Sequence, residues 1–295
     1  MPPRVSVIIP SYNHSRYIAQ AIRSVLDQDV DDLELVIVDD GSTDESVAVI
    51  RSVFEQYPDR NTQLIEQENH GAHHAIMRGI EASSSPVLSI LNSDDYYLPG
   101  RFSAMLPEVE AHECALAFSK LELIDDQSKP LANDSAWVKW YNESLEYINT
   151  NPTLGFAFLE ANFTVTSGNF VFTRSLYEKL GGFSEHKFVH DWDFLIRSLW
   201  HTEPIMIDQE LMAYRTHDSN TTELVRSLLE KECDEVIERY RDMCECLGTP
   251  ANTLAPHPKH WGVYFNRFVS NRKAFWKPNE KTHAIGSLTK HSLSI

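Results

Sequence analysis

The stretch Val87-Leu-Ser-Ile-Leu-Asn-Ser-Asp-Asp-Tyr-Tyr-Leu-Pro-Gly100 decides how this chain is read. An apolar, strand-like run ends abruptly in an amide, a hydroxyl and two adjacent carboxylates: Asn92, Ser93, Asp94 and Asp95. Pro99 and Gly100 then turn the chain. Open α/β sheets present their ligands beyond the carboxyl ends of the strands. A carboxylate pair at that point is placed to hold a metal. Taken alone, the pattern equally describes a strand end followed by an Asp-capped helix.

Three similar runs lie upstream. Residues 5–9 (Val-Ser-Val-Ile-Ile) are β-branched and apolar, and lead into Pro10-Ser-Tyr-Asn13. Residues 33–38 form a second buried strand ending in Asp39-Asp-Gly-Ser-Thr-Asp44. Residues 63–66 are a candidate third strand. Between them, Ile18, Ala21, Ile22, Val25 and Leu26 repeat at helical spacing, as do Val47, Ile50, Val53 and Phe54. Residues 72–81 read as another helix. Strand and helix alternate, which predicts a largely parallel sheet covered by helices. Polar loops then gather at one sheet edge.

Composition narrows the chemistry. The 295 residues suffice for a large α/β domain with a real core. The formal net charge of -17 argues against nucleic acid as a partner and suits a divalent cation beside an anionic ligand. Cys114, Cys233, Cys244 and Cys246 fit neither a zinc spacing nor a disulfide framework, so they read as reduced thiols of a cytoplasmic protein. Neither a membrane-span-length apolar run nor a signal-peptide pattern is visible.

Three segments carry a resemblance. Val5-Ser-Val-Ile-Ile-Pro-Ser-Tyr-Asn13, Val36-Ile-Val-Asp-Asp-Gly-Ser-Thr-Asp44 and Leu91-Asn-Ser-Asp-Asp95 together resemble the consecutive signatures of the family-2 glycosyltransferases. The resemblance implies a GT-A fold, a Rossmann-like α/β domain with a mostly parallel central sheet, over residues 1–220. Residues 221–295 follow as a helical C-terminal region. It implies that Pro10, Ser11 and Tyr12 line the base and ribose of a nucleotide sugar, and that Asp40 accepts a hydrogen bond from uracil N3–H. Asp39 either shares that role or fixes the loop. Asn92 and Ser93 belong to the ribose side. Asn92 stands where relatives carry aspartate, so the cation (Mn²⁺ or Mg²⁺) rests on Asp94, with Asp95 as second candidate.

Further along, Phe188-Val-His-Asp-Trp-Asp-Phe194 resembles the family's segment that supplies the catalytic base, which maps to Asp191; His190 replaces the usual Glu. An attacking sugar hydroxyl must lose its proton as the new bond forms, and a positioned carboxylate takes it. On a helix Asp193 lies about 200° around from Asp191 and cannot face the same atom. Leu211-Met-Ala-Tyr-Arg-Thr-His217 matches another segment. By resemblance His217 is a third metal ligand or diphosphate contact, and Arg215 an anion partner.

The remainder is less specific. Residues 115–119 and 121–124 read as two strands. Residues 134–153 carry Trp137, Trp140, Tyr141 and Tyr147, which either stack on an acceptor sugar or pack on the core. Residues 222–247 form a long amphipathic helix. Beyond it Trp261, Tyr264, Phe265, Phe268, Phe275 and Trp276 interleave with Arg267, Arg272, Lys273, Lys277 and Lys281. This basic-aromatic patch over 260–281 fits an anionic membrane, the catalytic domain or a second subunit. The expected activity is metal-dependent, inverting transfer of a hexosyl or N-acetylhexosaminyl group from a UDP-linked donor to a saccharide or lipid-linked saccharide, in bacterial surface polysaccharide or glycolipid synthesis. A non-catalytic sugar-nucleotide-binding scaffold is the alternative from another class. A nucleotidyltransferase is a third reading, though Pro10-Ser-Tyr-Asn13 lacks the Gly-rich basic loop such enzymes carry.

Overall fold

The computed structural model describes residues 3–216 and 223–275, with the backbone alone for 223–227 and 271–275. Its strands are β1 (Val5–Ser11), β2 (Leu33–Asp39), β3 (Asn61–Glu66), β4 (Val87–Ile90), β5 (Tyr96–Tyr97), β6 (Leu116–Ile124), β7 (Val171–Thr173) and β8 (Ile205–Arg215). They form one sheet in the order β3-β2-β1-β4-β7-β6-β8-β5.

The first four strands are parallel. Parallel neighbours need crossovers, and helices α1 (Ile18–Leu26), α2 (Ser46–Phe54) and α3 (Ala72–Ala82) supply them. Beyond β4 the sheet turns antiparallel: β7 runs against β4, β6 against β7 and β5 against β8. The parallel reading therefore holds for the N-terminal half. Strands covered on both faces read as continuous apolar runs, and Val5, Val7, Ile8, Ile9, Leu35, Val36, Ile37 and Val38 are all sealed from solvent. On α1 the stripe Ile18, Ala21, Ile22, Val25 and Leu26 is buried, as its spacing predicts.

The remaining helices are α4 (Arg101–Glu110), α5 (Ala136–Thr150), α6 (Leu154–Glu160), α7 (Arg174–Leu180), α8 (His190–Ser198), α9 (Glu223–Cys246), α10 (Pro258–Trp261) and α11 (Val263–Phe275). The two strands expected over 115–124 are one continuous β6. The apolar run at 154–160 is a buried helix. On α5 only Tyr141 of the four aromatics is buried; Trp137 and Trp140 pack edge to face, and Tyr147 is exposed.

Two compact units emerge. The first comprises Met1–Glu122, Thr164–Phe194 and Pro204–Arg215, and so carries nearly the whole sheet. The second joins Leu123–Phe163 and Leu195–Glu203 to the chain from Thr216 onward. Its centre is the buried Phe156 ring, met edge to face by Trp261, Tyr264 and Phe268 at 5.0–5.2 Å. Glu203 ties three of its segments, accepting from the Gly155 N–H at 2.9 Å and the Asn252 amide at 3.2 Å.

The approach of α3 to the sheet is set by Gly79. A Cβ there would lie 2.5 Å from Ile8 Cγ2 and 3.3 Å from Val38 Cγ2. We predict that Gly79→Ala destabilises the protein by about 1–3 kcal/mol through overpacking, despite alanine's better helix propensity. Urea unfolding measures it, and an unchanged midpoint would contradict this close approach.

Candidate functional site

The site is built in the first unit, where the loops after β1, β2 and β4 come together. The first two loops are laced to each other. Asp40 N–H donates to Ser11 O at 2.8 Å and Asn13 N–H to Ser42 Oγ at 2.9 Å. Thr43 N–H donates to Asn13 Oδ1 at 2.8 Å, and Ser15 N–H to Asp44 Oδ2 at 3.0 Å. Asn13 adopts a φ of 54°, a conformation asparagine tolerates. Asp39 accepts from the Ser42 N–H and hydroxyl, closing its own turn.

Asp40 has a different set of partners. Its buried carboxylate accepts from the Gln67 amide at 2.7 Å, His70 N–H at 2.9 Å and Gly71 N–H at 2.8 Å. A carboxylate offers about four lone-pair sites, so capacity remains for one more donor. The bond also anchors the entry of α3, where Gly71 takes a φ of 94°. Of the three residues expected around the nucleotide, Tyr12 is exposed and Pro10 half-buried. Ser11 is fully buried, and its hydroxyl has no partner among the described residues.

The acidic loop after β4 is gripped from behind. Arg215, at the end of β8, donates its backbone N–H to Asp95 Oδ1 at 2.8 Å and its Nε to Asp94 O at 2.7 Å. Its Nη2 reaches Gln20 Oε1 at 2.9 Å, and the guanidinium lies 4.6 Å from the Tyr17 ring centroid. Arg215 is thus a buried support of the loop. The Asn92 amide donates to Thr166 Oγ1 at 2.7 Å and, at 3.3 Å, to Asp95. Ser93 pairs with His14 Nδ1 at 2.7 Å, joining this loop to the first.

These contacts separate the two carboxylates. Asp95 is buried, whereas Asp94 is half-exposed. Burial first, and the charge of Asp94 second, push the Asp95 carboxyl well above the usual range, against the pull of Arg215 and Asn92. Asp191 is buried in the first turn of α8, accepting from Trp192 N–H at 2.7 Å. Burial first, and then the charges of Asp95, Asp94 and Asp191, push the Tyr214 phenol above its ordinary value. Sequence reasoning missed Tyr214 and His14, since neither has a local pattern of its own. Tyr214 stands one residue before Arg215 in the quoted segment, which was its one available signal.

His217 lies outside the described residues. Among the described residues, no three His, Cys, Asp or Glu side chains converge as a self-sufficient metal site. Asp94 fits instead a cation held by one protein carboxylate, with phosphate oxygens and water completing the shell, as Mg²⁺ commonly is.

The fold and site together define an α/β protein that gathers carboxylate loops at its strand ends. The chain belongs to glycosyl transferase family 2, whose description matches residues 6–181, more than half its length. An uncharacterised glycosyltransferase of Rickettsia typhi is 29% identical over 233 residues, 78% of this chain and 69% of that protein. One from Nostoc is 38% identical over 128 residues, 43% of this chain and 39% of its own length. The match thus spans well under half of that relative. Chondroitin synthase of Escherichia coli is 30% identical over 144 residues, 48% of this chain and 21% of that protein. Among solved structures, TarS of S. aureus has a TM-score of 0.59 at 15% identity, covering 98% of this chain and 88% of that one. Its complex with UDP gives 0.57, also at 15% identity, with the same coverage of both chains. A mannosyltransferase of Pyrobaculum calidifontis, in complex with GDP-Man and Mn²⁺, gives 0.53 at 15% identity, covering 99% and 84%. At these identities the likeness concerns the fold, a GT-A type.

Asp44, two residues before α2, clasps the helix start and the first loop at once, accepting from Ser46 N–H at 2.9 Å and from Ser15 N–H at 3.0 Å. Burial opposes its charge, but these bonds prevail and hold its carboxyl at about 2. Its contribution is therefore present above the unfolded value near ~3.9 and lost as pH falls toward 2. We predict that Asp44→Ala costs about 1 kcal/mol at pH 7, as the loss of hydrogen bonds to a carboxylate does. Urea unfolding should show the difference shrinking below pH 4. A pH-independent difference would contradict this role.

Proposed function

We propose that the chain transfers a sugar from a UDP-linked donor to an acceptor hydroxyl with inversion at the anomeric carbon. The observation that carries this is the lacing of the Asp40 loop, the first loop and the Asp94-Asp95 loop to one another at the strand ends, in the unit that also holds Asp191. Asp40 retains an acceptor site for uracil N3–H. Tyr12 and Pro10 flank the base, and Ser11 supports that wall from inside the sheet. Asn92 and Ser93 fix the ribose side of the loop, and Arg215 holds Asp94 in place. Asp94, with His217 as a second ligand, would hold a divalent cation; when bound, it neutralises charge on the departing diphosphate. Asp191 accepts the proton of the attacking hydroxyl. With one base and no covalent nucleophile assigned, a single displacement inverts the centre.

The family and the chondroitin synthase relative support a polysaccharide or its lipid-linked precursor as acceptor. Among the described residues no helix is long and apolar enough to cross a membrane. We assign the protein to the cytoplasm, touching the inner face of the membrane through α11. There Val263 is 82% and Tyr264 44% exposed beside Arg267, in a tail whose basic residues contrast with a net charge of -17. Residues 276–281 of that patch lie outside the described residues. Val263→Asp should release the protein from phosphatidylglycerol vesicles in a sedimentation assay; equal binding to phosphatidylcholine vesicles would contradict an electrostatic contact.

One observation favours the non-catalytic reading: the Asn92 amide is already committed to Thr166 and Asp95, and brings no charge to a metal. The two readings part on one variant. Asp191→Asn should lower donor hydrolysis or transfer by about 10²–10⁴-fold, with UDP-sugar affinity within about twofold. No turnover in the unmodified chain, with intact binding, would favour the scaffold. Asp94→Ala should remove the Mn²⁺ dependence of donor binding, and an unchanged dependence would overturn that assignment.

A further inference from the structure

Four imidazoles cluster between the Asp40 loop and Asp191, and the roles assigned above use none of them. His70 follows the loop whose backbone binds Asp40. His73 and His74 lie in the first turn of α3, and His190 opens α8 directly before Asp191. The His73 and His74 rings are 4.4 Å apart, His70 and His74 6.1 Å, and His73 and His190 6.3 Å. His73 and His190 are half-buried, and His74 is exposed. The charged and titratable groups that face His73 come from every side: His74 from its own helix, Asp40 from the end of β2, Glu185 from the segment before α8, and His190 from α8. Asp191 adjoins His190.

This arrangement is costly to charge in isolation. Burial first, then His74 and His190, push the His73 imidazolium below its ordinary value, while Glu185 and Asp40 pull the other way. A charged His73 is therefore disfavoured unless an anion stands against it. The cluster is not a ready metal site, since among the described residues no three ligating side chains converge. The surrounding site is rich in carboxylates, which repel a diphosphate, and the Arg215 guanidinium is engaged with Asp94 O and Gln20. A nucleotide sugar whose base lies at Asp40 and whose reacting carbon lies at Asp191 must pass its anionic middle between them.

We propose that His70, His73, His74 and His190 form a proton-linked anion subsite that takes up protons as it receives anionic oxygens of the donor. This deepens the donor-site reading and rests on it. The oxygens belong either to the diphosphate or to a carboxylate on the donor sugar. The diphosphate of a nucleotide sugar is a diester with no proton to gain near neutrality, so any protons taken up are the protein's. A bound anion raises the imidazole pKa. Donor affinity is then highest at low pH and falls as pH rises through the bound-state value, by about tenfold per pH unit for each proton fully taken up.

The test is calorimetric titration of the full chain with UDP-glucose and with UDP-glucuronic acid, from pH 6 to 8, in buffers of different ionisation enthalpy. Net proton uptake with both donors is expected if the diphosphate is the partner. Uptake with UDP-glucuronic acid alone assigns the sugar carboxylate. His73→Gln, and separately His190→Gln, should reduce the uptake and flatten the pH dependence. The exposed His74→Gln keeps the test available if a half-buried variant misfolds. Binding of both donors with no uptake and pH-independent affinity overturns the subsite and leaves the donor reading standing. Failure of the unmodified chain to bind either donor at any pH overturns both.

Discussion

The interaction on which the site depends is the grip of Arg215 on the acidic loop. One residue donates a backbone N–H to the Asp95 carboxylate and a guanidinium N–H to the Asp94 carbonyl. It is itself buried, stacked on Tyr17 and bonded to Gln20. Two carboxylates in sequence, one of them buried, would otherwise repel each other and seek water. The clamp lets Asp95 face inward and leaves Asp94 half-exposed. Leaving a buried polar group without its partner typically costs about 1–3 kcal/mol, more when the group is charged, so the loop and the end of β8 support each other.

The same logic of mutual restraint runs through the neighbouring loops. His14 ties the first loop to Ser93, Asn13 and Asp44 tie it to the second, and Asp40 ties the second to the start of α3. No one of these bonds is worth more than about 1–3 kcal/mol. Together they fix four chain segments, the three loops and the start of α3, relative to a rigid parallel half-sheet. A site preorganised in this way loses little entropy when a flexible ligand arrives.

Much of the parallel half was legible in the sequence. β1, β2 and β4 are short apolar runs broken by polar turns, carboxylate-rich after β2 and β4, and α1 shows a clean stripe; local chemistry alone dictates such elements. The antiparallel half was not, because β5 and β7 are two- and three-residue strands defined by their partners. The run at 154–160 is a short buried helix, an element that periodicity does not separate from a short buried strand. The second unit is assembled by long-range contacts such as Glu203 with Gly155 and Asn252, which no window of sequence reveals. Within the site, the carboxylates Asp40, Asp94 and Asp191 stand out in the sequence because each lies in a motif segment whose expected residue type it matches. The inward turn of Ser11 and the supporting roles of Arg215 and His14 do not, because they arise only from what folding sets beside them.

The most direct test of this account is donor binding by Arg215→Lys. Lysine keeps the positive charge and the backbone N–H but loses the planar fork that reaches Asp94 O and Gln20 together. With far-UV circular dichroism unchanged, UDP-glucose affinity measured by calorimetry in the presence of Mn²⁺ should fall by roughly tenfold or more, the equivalent of about 1.4 kcal/mol or above. An affinity equal to that of the unmodified protein would contradict the claim that the clamped acidic loop holds the donor.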